Sequence, residues 1–148
     1  GPLSGNPVID VSVELYDGKE HAVDSNENAF KTAGRIAFKE AFLQAKPALL
    51  EPIYEIEIVV PGEHMGDVLG DISSRRGKVQ GMDSKGTFEV IKAAVPLAEL
   101  HHYATRLRSL TQGKGSHKQK FSHYEEAPQD YAKKVIEAYA QHRAPDEE

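Results

Sequence analysis

The sequence predicts an α+β fold in which the central part of the chain has the order β-α-β-β-α-β. Four segments between residues 50 and 126 are predicted to be strands, and the first of them shows a clear alternation of apolar and polar residues. Two further segments have apolar residues at helical spacing, and turns rich in glycine, proline and aspartate separate the elements. This order over about 75 residues is that of the split-βαβ, or ferredoxin-like, arrangement.

The first strand of this part alternates apolar residues with glutamates and stops at Pro61-Gly62. Its apolar positions are Tyr54, Ile56, Ile58 and Val60. The helix that follows has apolar residues at i, i+3, i+4 and i+7, namely Met65, Val68, Leu69 and Ile72. The run Arg75-Arg76-Gly77 ends this helix, with basic groups at its negative end, and we expect Gly77 to adopt the left-handed closing conformation.

The remaining elements follow in regular order. Strands are predicted from Lys78 to Met82, from Thr87 to Val95 and from Ser116 to Tyr124. The second helix is predicted from the spacing of Leu97, Leu100, Ala104 and Leu107. A third amphipathic helix begins after Pro128 and leads into the acidic tail Asp146-Glu147-Glu148.

The first 49 residues predict one strand and one helix. Ile9, Val11, Val13 and Leu15 alternate with polar residues, which indicates a strand with one buried face. A helix capped by Asp24 or Ser25 is expected to begin near Glu27 and to end before Lys46-Pro47. One strand and one helix cannot bury both apolar faces alone, so we expect these residues to be part of a domain whose other strands are missing from this chain. The predicted organisation is therefore 1–49, 50–126 and 127–148, the last being a C-terminal helix and acidic tail.

Composition excludes several classes of protein. The chain of 148 residues has a formal net charge of −5 and no cysteine, which excludes a disulfide framework, thiol catalysis and thiolate zinc sites. It contains no apolar run of the length of a membrane span and no signal peptide pattern, so a cytoplasmic protein is expected. The first residue is Gly rather than Met, which predicts a processed or truncated product.

One segment of this acidic chain carries only basic charged residues. From Leu100 to Ser122 there is no Asp or Glu. The basic residues of this window are Arg106, Arg108, Lys114, Lys118 and Lys120. An anionic partner could bind this stretch, because arginine and a glycine-rich turn both suit contact with phosphate. A solvated charged face is the alternative.

No motif of this chain indicates an enzyme. Neither a phosphate-binding loop nor a dinucleotide fingerprint is present, and Gly113-Lys114-Gly115-Ser116 precedes a predicted strand rather than a helix. His101 and His102 are adjacent on a predicted helix and point about 100° apart, which disfavours a shared metal ion. His21, in the polar segment after Asp17-Gly18, is interpreted from the residues alone as an exposed loop histidine.

Collinear motifs along almost the whole chain resemble the C-terminal part of bacterial elongation factor G. In the second half of the chain they include Leu49-Leu50-Glu51-Pro52-Ile53, Met65-Gly66-Asp67-Val68, Arg75-Arg76-Gly77, Tyr103-Ala104-Thr105 and Leu107-Arg108-Ser109-Leu110-Thr111-Gln112-Gly113. In the first half they include Leu15-Tyr16-Asp17-Gly18, Val23-Asp24-Ser25 and Ala37-Phe38-Lys39-Glu40-Ala41. Each motif is weak alone, but their order is specific.

The resemblance implies a fold and a partner for each part. Residues 1–49 would be the C-terminal part of the family's domain IV, a fold like that of ribosomal protein S5 that reaches the A-site region of tRNA and mRNA. Residues 50–126 would be the ferredoxin-like domain V, which rests on ribosomal RNA. The implied partner is the ribosome, and binding to a membrane or to DNA is not expected. The parent protein would be a GTPase that binds GTP and magnesium outside this chain.

The resemblance also implies contact residues. His21 matches a histidine at the tip of domain IV, and Arg75, Arg76, Arg108 and Ser109 fall on segments of domain V that face ribosomal RNA. Arg106 and Lys114 of the basic window are expected to join these RNA contacts. No catalytic residue, metal site or cofactor is expected in this chain. The family pattern differs at Glu20-His21-Ala22 and at Leu100-His101-His102. An elongation factor G-like paralogue in ribosome recycling or ribosomal protection, and a free-standing ferredoxin-like RNA-binding or regulatory module, remain the alternatives.

Overall fold

Four antiparallel strands form the central sheet of the computed structural model, which describes residues 1–143. The strands are β1 (Leu50–Pro61), β2 (Lys78–Lys85), β3 (Phe88–Pro96) and β4 (Ser116–Glu126), in the spatial order β2-β3-β1-β4. The long strand β1 therefore pairs with β3 on one side and with β4 on the other, with a register shift between Ile53 and Tyr54 in the second pairing. With its intervening helices, this sheet confirms the predicted ferredoxin-like order.

Two helices cover one face of the sheet. They are α2 (Met65–Ser74), which follows β1, and α3 (Tyr103–Leu110), which precedes β4. Their buried side chains pack on the alternating apolar residues of β1 and β3. The core comprises Ile56, Ile58, Val60, Val68, Ile72, Ile91, Ala93, Val95, Leu100, Tyr103 and Leu107. The period of two along the strands and the helical period of α2 and α3 thus meet on a single apolar layer.

Helix α2 ends differently from the sequence prediction. Arg76, not Gly77, adopts the left-handed conformation, with φ of 57°. The Gly77 N–H donates to the carbonyl of Ile72 and the Arg76 N–H to that of Ser73, which is the Schellman pattern of helix closure. Gly77 is required for a different reason: a Cβ there would lie 2.5 Å from Cγ2 of Ile72.

Helix α3 begins later than its apolar pattern predicted. Leu97–Glu99 form a 3₁₀ turn. His102, with φ of 56°, has a left-handed backbone, and α3 starts at the next residue, Tyr103. Within α3, Tyr103 and Leu107 are buried while Ala104 is exposed. The four positions of the predicted amphipathic helix therefore do not share a buried face, since Leu97 and Ala104 are exposed while Leu100 and Leu107 are buried.

The remaining described residues form a second compact unit, residues 1–49 together with the chain from Ala127. It contains α1 (Glu27–Gln44), capped by the side chain of Asn26 rather than by Asp24 or Ser25, and α4 (Gln129–His142). The acidic tail 146–148 lies outside the described residues.

The strand predicted at Ile9–Leu15 is not formed. Residues 8–20 have neither helix nor strand, and Leu15 is 90% exposed. Alternation marks which residues could share a face, but a strand also needs a neighbour to accept its hydrogen bonds. No strand lies within residues 1–49 to serve as that neighbour.

Candidate functional site

Helix α3 presents its two arginines, Arg106 and Arg108, on the side away from the core. Tyr103 and Leu107 face inward and are buried. Arg106, Arg108 and Ser109 occupy the intervening positions and are exposed. The amphipathic spacing of α3 therefore holds these three side chains toward solvent.

Ion pairs distinguish the cations of this helix and its loop. Arg106 Nε lies 3.3 Å from Oδ1 of Asp71, and Lys114 Nζ lies 3.4 Å from Oε1 of Glu63. Among the described residues, the Arg108 side chain has neither an ion pair nor a hydrogen bond partner. Arg108 is thus the cation of α3 whose guanidinium donors are all available to an external acceptor.

The loop after α3 is built around Thr111. Its buried hydroxyl donates to the carbonyl of Leu107 at 2.7 Å and accepts the Gly115 N–H at 2.8 Å. A Cβ at Gly115 would lie 2.7 Å from that hydroxyl oxygen, so the glycine permits the close approach. The Gly113 N–H donates to the carbonyl of Arg108, which repeats the Schellman closure with Gln112 in the left-handed position.

Lys118 and Lys120 belong to a different surface. In β4 they lie opposite Glu57 and Glu55 of β1, on the sheet face that α2 and α3 do not cover. Lys120 Nζ is 3.4 Å from Oε2 of Glu55. The acid-free window is therefore continuous along the chain but divided in space, because its two strand lysines share a face with carboxylates from β1.

Arg75 is bound to its own domain. Its Nε donates to Oδ2 of Asp71 at 2.9 Å, its Nη1 donates to the carbonyl of Glu99, and its guanidinium carbon lies 5.0 Å from the centre of the Tyr103 ring. Asp71 is one helical turn before Arg75 and also receives Arg106. These contacts connect α2 to α3 and to the 3₁₀ turn before it.

Arg76 is held still more completely. Its Nη1 and Nη2 donate to the two carboxylate oxygens of Glu51 at 2.7 and 2.9 Å, and its Nε donates to Glu99 at 3.1 Å. The hydrogen bond with Glu51 raises the pKa of the Arg76 guanidinium further above its ordinary value. Three of its donors are already used within the domain, which leaves less of this side chain for an RNA phosphate.

His21 lies at a turn in the first unit. Its backbone N–H donates to Oγ of Ser25 at 2.6 Å, and its carbonyl accepts the Ser25 N–H at 3.1 Å. The imidazole is exposed, and no described acid or hydroxyl group contacts it. This environment offers the ring for contact and provides no group that would activate it as a base.

Sequence reasoning missed the acidic partners that organise these arginines. Glu51, Asp71 and Glu99 come from three separate elements. The i, i+4 spacing of Asp71 and Arg75 could have revealed one pair. The pairs with Glu51 and Glu99 depend on the packing of β1, α2 and the residues before α3, which no local pattern shows.

The histidines and acids of the described chain do not assemble a metal site. Within residues 1–143, no three His, Asp or Glu side chains are placed to share a metal ion. His101 and His102 are both exposed and their ring centres are 6.1 Å apart. Among the described helices, none has the length and apolar character needed to cross a lipid bilayer.

Comparison with known proteins identifies the family. The family model for elongation factor G, domain IV, matches residues 1–46, and the model for the elongation factor G C-terminus matches residues 48–135. Elongation factor G from Aquifex pyrophilus is 55% identical over 136 residues, which cover 92% of this chain and 20% of that protein. A crystal structure from Thermus thermophilus is 43% identical with a TM-score of 0.74, over 86% of this chain and 19% of that chain.

These matches confirm the resemblance found in the motifs. The chain spans about a fifth of the length of the relatives that it matches. Two family models, adjacent in the sequence and in the expected order, together account for most of its residues. This chain belongs to the elongation factor G family, of which it comprises part of domain IV and the C-terminal domain.

Proposed function

We propose that this chain is the ribosome-binding C-terminal portion of a translational GTPase that promotes tRNA–mRNA translocation. The observation that carries this proposal is the identity of 55% with an elongation factor G over 92% of the chain. Residues 1–49 would be the C-terminal part of the S5-like domain IV, residues 50–126 domain V, and residues 127–148 its C-terminal helix and tail. GTP and magnesium would bind elsewhere in the parent protein, which would act in the cytoplasm.

The proposed partner of domain V is ribosomal RNA, and the exposed side of α3 is the best candidate for the contact. Arg108 has a free guanidinium, and Ser109 is exposed beside it. Arg106 and Lys114 are more than half exposed as side chains and could exchange their carboxylate partners for phosphate. A guanidinium can bind one phosphate through two parallel hydrogen bonds, which makes Arg108 the expected anchor.

Arg75 and Arg76 have a different role in this proposal. Their short contacts with Asp71, Glu51 and Glu99 are within the domain, so their main contribution would be to hold α2 and the start of α3 in place. They would act on RNA chiefly through the position of Arg106 and Arg108. His21 would contact RNA in the A-site region and take no part in bond chemistry.

A chimera tests the proposal. Residues 1–135 of this chain would replace the matching part of Aquifex pyrophilus elongation factor G, with the unmodified relative as control. We expect the chimera to move tRNA and mRNA on the ribosome at a rate close to that of the control. A chimera that is folded and hydrolyses GTP on ribosomes but fails to translocate would contradict the proposal, and assays of ribosome splitting and of tetracycline release would then test the paralogue functions.

His21→Ala in the same chimera tests the role of the domain IV tip. We expect slower translocation with nearly unchanged ribosome-stimulated GTP hydrolysis, because the exposed imidazole would contact RNA and no described side chain lies beside it to activate it as a base. Lys19→Ala, at another exposed position before the turn, is the matched control. Equal losses of both activities in His21→Ala would refute this division of roles.

A further inference from the structure

The segment before the His21 turn contains a chemically distinctive dipeptide. Asp17-Gly18 is the one Asp-Gly pair in the sequence, which contains no Asn-Gly pair. Both residues are exposed, lie in neither helix nor strand, and follow Tyr16, which is 92% exposed. The backbone there is therefore not restrained by a hydrogen-bonded ladder or by a packed core.

The local geometry brings the reacting atoms of this pair together. The Gly18 N–H donates to Oδ1 of Asp17 at 2.8 Å, which places the amide nitrogen beside the carboxyl carbon that carries this oxygen. Glycine has no Cβ to obstruct the approach. No atom outside the two chain neighbours lies within 4 Å of the position that a Cβ of Gly18 would occupy, so the surroundings leave room for the backbone to rearrange.

We propose that Asp17-Gly18 is a site of spontaneous succinimide formation and isoaspartate accumulation. The Gly18 nitrogen attacks Cγ of the protonated Asp17 carboxyl group, a new N–Cγ bond forms, and the carboxyl hydroxyl leaves as water with the amide proton. Water then opens the ring. Cleavage of the N–Cγ bond restores aspartate, whereas cleavage between the nitrogen and the main-chain carbonyl gives isoaspartate, without oxidation or reduction in either direction.

The product has a defined chemical partner. Isoaspartate leaves a free carboxylate on Cα and routes the main chain through Cβ and Cγ, which adds a methylene group to the backbone. This α-carboxylate is the acceptor that a repair methyltransferase using S-adenosylmethionine would methylate. Because His21 lies close after the altered linkage, the change would also displace the turn closed by His21 and Ser25.

Asp71 and Asp83 offer useful contrasts. Asp83 lies within β2, opposite Val90 of β3, so its backbone is held in the sheet. Asp71 is in α2 with its carboxylate bound by Arg75 and Arg106. Neither is followed by glycine. Secondary structure opposes ring closure at both positions, and the β-branched side chain of Ile72 adds bulk after Asp71.

Incubation of the full chain at physiological pH and temperature in heavy-oxygen water tests the proposal. Peptide mapping with electron-transfer fragmentation distinguishes isoaspartate from aspartate, and each ring opening adds heavy oxygen at the affected residue. We expect isoaspartate at Asp17 to exceed that at Asp83 several-fold, and isoaspartyl methyltransferase with labelled S-adenosylmethionine to label the peptide containing Asp17. A parallel sample in denaturant should show nearly the same rate at Asp17.

Gly18→Ala is the matched variant. The space around Gly18 accepts a methyl group, so the variant should fold as the parent chain does while isomerising several-fold more slowly. Three results would overturn the proposal: equal isoaspartate at Asp17 and Asp83, an unchanged rate in Gly18→Ala, or a native rate far below that in denaturant. The last result would show that the folded loop protects the pair.

Discussion

Arg76 joins the buried carboxylate of Glu51 through two parallel hydrogen bonds while its own backbone is left-handed. Glu51 is only 5% exposed, and it lies near the start of β1, whereas Arg76 closes α2. The two hydrogen bonds satisfy a carboxylate that burial separates from water, and they do so from a residue whose left-handed backbone a side chain disfavours. The ion pair fixes the end of α2 against the first strand of the sheet.

Replacement of Glu51 by glutamine should show how much the Glu51–Arg76 ion pair contributes to stability. The amide retains one acceptor but loses the charge and the second hydrogen bond, so we expect a loss of about 2 kcal/mol in the free energy of unfolding. Urea denaturation monitored by circular dichroism measures it. Glu55→Gln, which removes an exposed pair with Lys120, should cost under about 1 kcal/mol. Similar losses in both variants would show that the Glu51 pair is not specially stabilising.

Gly77 should be intolerant of even a methyl group. A Cβ there would lie 2.5 Å from Cγ2 and 2.8 Å from the carbonyl oxygen of Ile72, so Gly77→Ala should destabilise the protein by about 1–3 kcal/mol. Gly70→Ala in α2 is the control: it has open space and should stabilise by about 0.5–1 kcal/mol. Thermal denaturation of Gly77→Ala and Gly70→Ala measures both changes in stability. An unchanged stability of Gly77→Ala would exclude the clash.

The fold was largely predictable from the sequence because its core elements have strong local periodicity. Strand β1 alternates along most of its length, and α2 repeats at helical spacing. The strand predicted at Ile9–Leu15 failed because strand formation depends on a second strand, which periodicity within one segment cannot report. The helix ends were misjudged where Arg76 and His102 adopt the conformation expected of glycine.

The candidate site was less predictable than the fold. The absence of acidic residues along the window suggested one basic surface, but strand alternation sends Lys118 and Lys120 to the face that carries Glu55 and Glu57. Likewise, Arg75 and Arg76 appear in the sequence as free cations, and only tertiary packing brings Asp71, Glu51 and Glu99 to them. Charge along the chain therefore included Arg108, which is exposed, but it could not separate this residue from its paired neighbours.

Tyr103→Phe should be neutral or stabilising. The Tyr103 side chain is buried in the core, and its hydroxyl has no hydrogen bond partner there. Burial raises the pKa of this phenol above its ordinary value, so the group stays protonated and contributes no charge. Phenylalanine keeps the edge-to-face contact with His117 and the position under Arg75 while it removes an unsatisfied polar atom. A loss above about 1 kcal/mol in urea denaturation would mean that the hydroxyl is satisfied in solution.

His123 should lower the pH at which Glu125 titrates. His123 Nε2 lies 2.8 Å from Oε1 of Glu125, and this hydrogen bond lowers the pKa of the Glu125 carboxyl below its usual 4.5. A lowered pKa in the folded state stabilises the protein above pH 4.5, and this contribution disappears as the pH falls through the folded-state value. Carbon-detected NMR should show a higher Glu125 midpoint in His123→Gln than in the parent chain. Identical midpoints would contradict the coupling.

Arg108 provides the sharpest test of the proposed RNA contact. In the chimera, Arg108→Ala should weaken ribosome binding and reduce the slope of log affinity against log salt by about 1, because one phosphate contact is lost. Arg108→Lys keeps the charge and hence the slope, but it loses the bidentate geometry, so we expect about tenfold weaker binding at every salt concentration. Lys120→Ala is the matched control and should change both quantities less, since Lys120 lies on the other face of the sheet beside Glu55. Wild-type affinity of Arg108→Lys across the salt series would refute the bidentate contact, and a larger effect of Lys120→Ala would move the RNA surface to the uncovered face of the sheet.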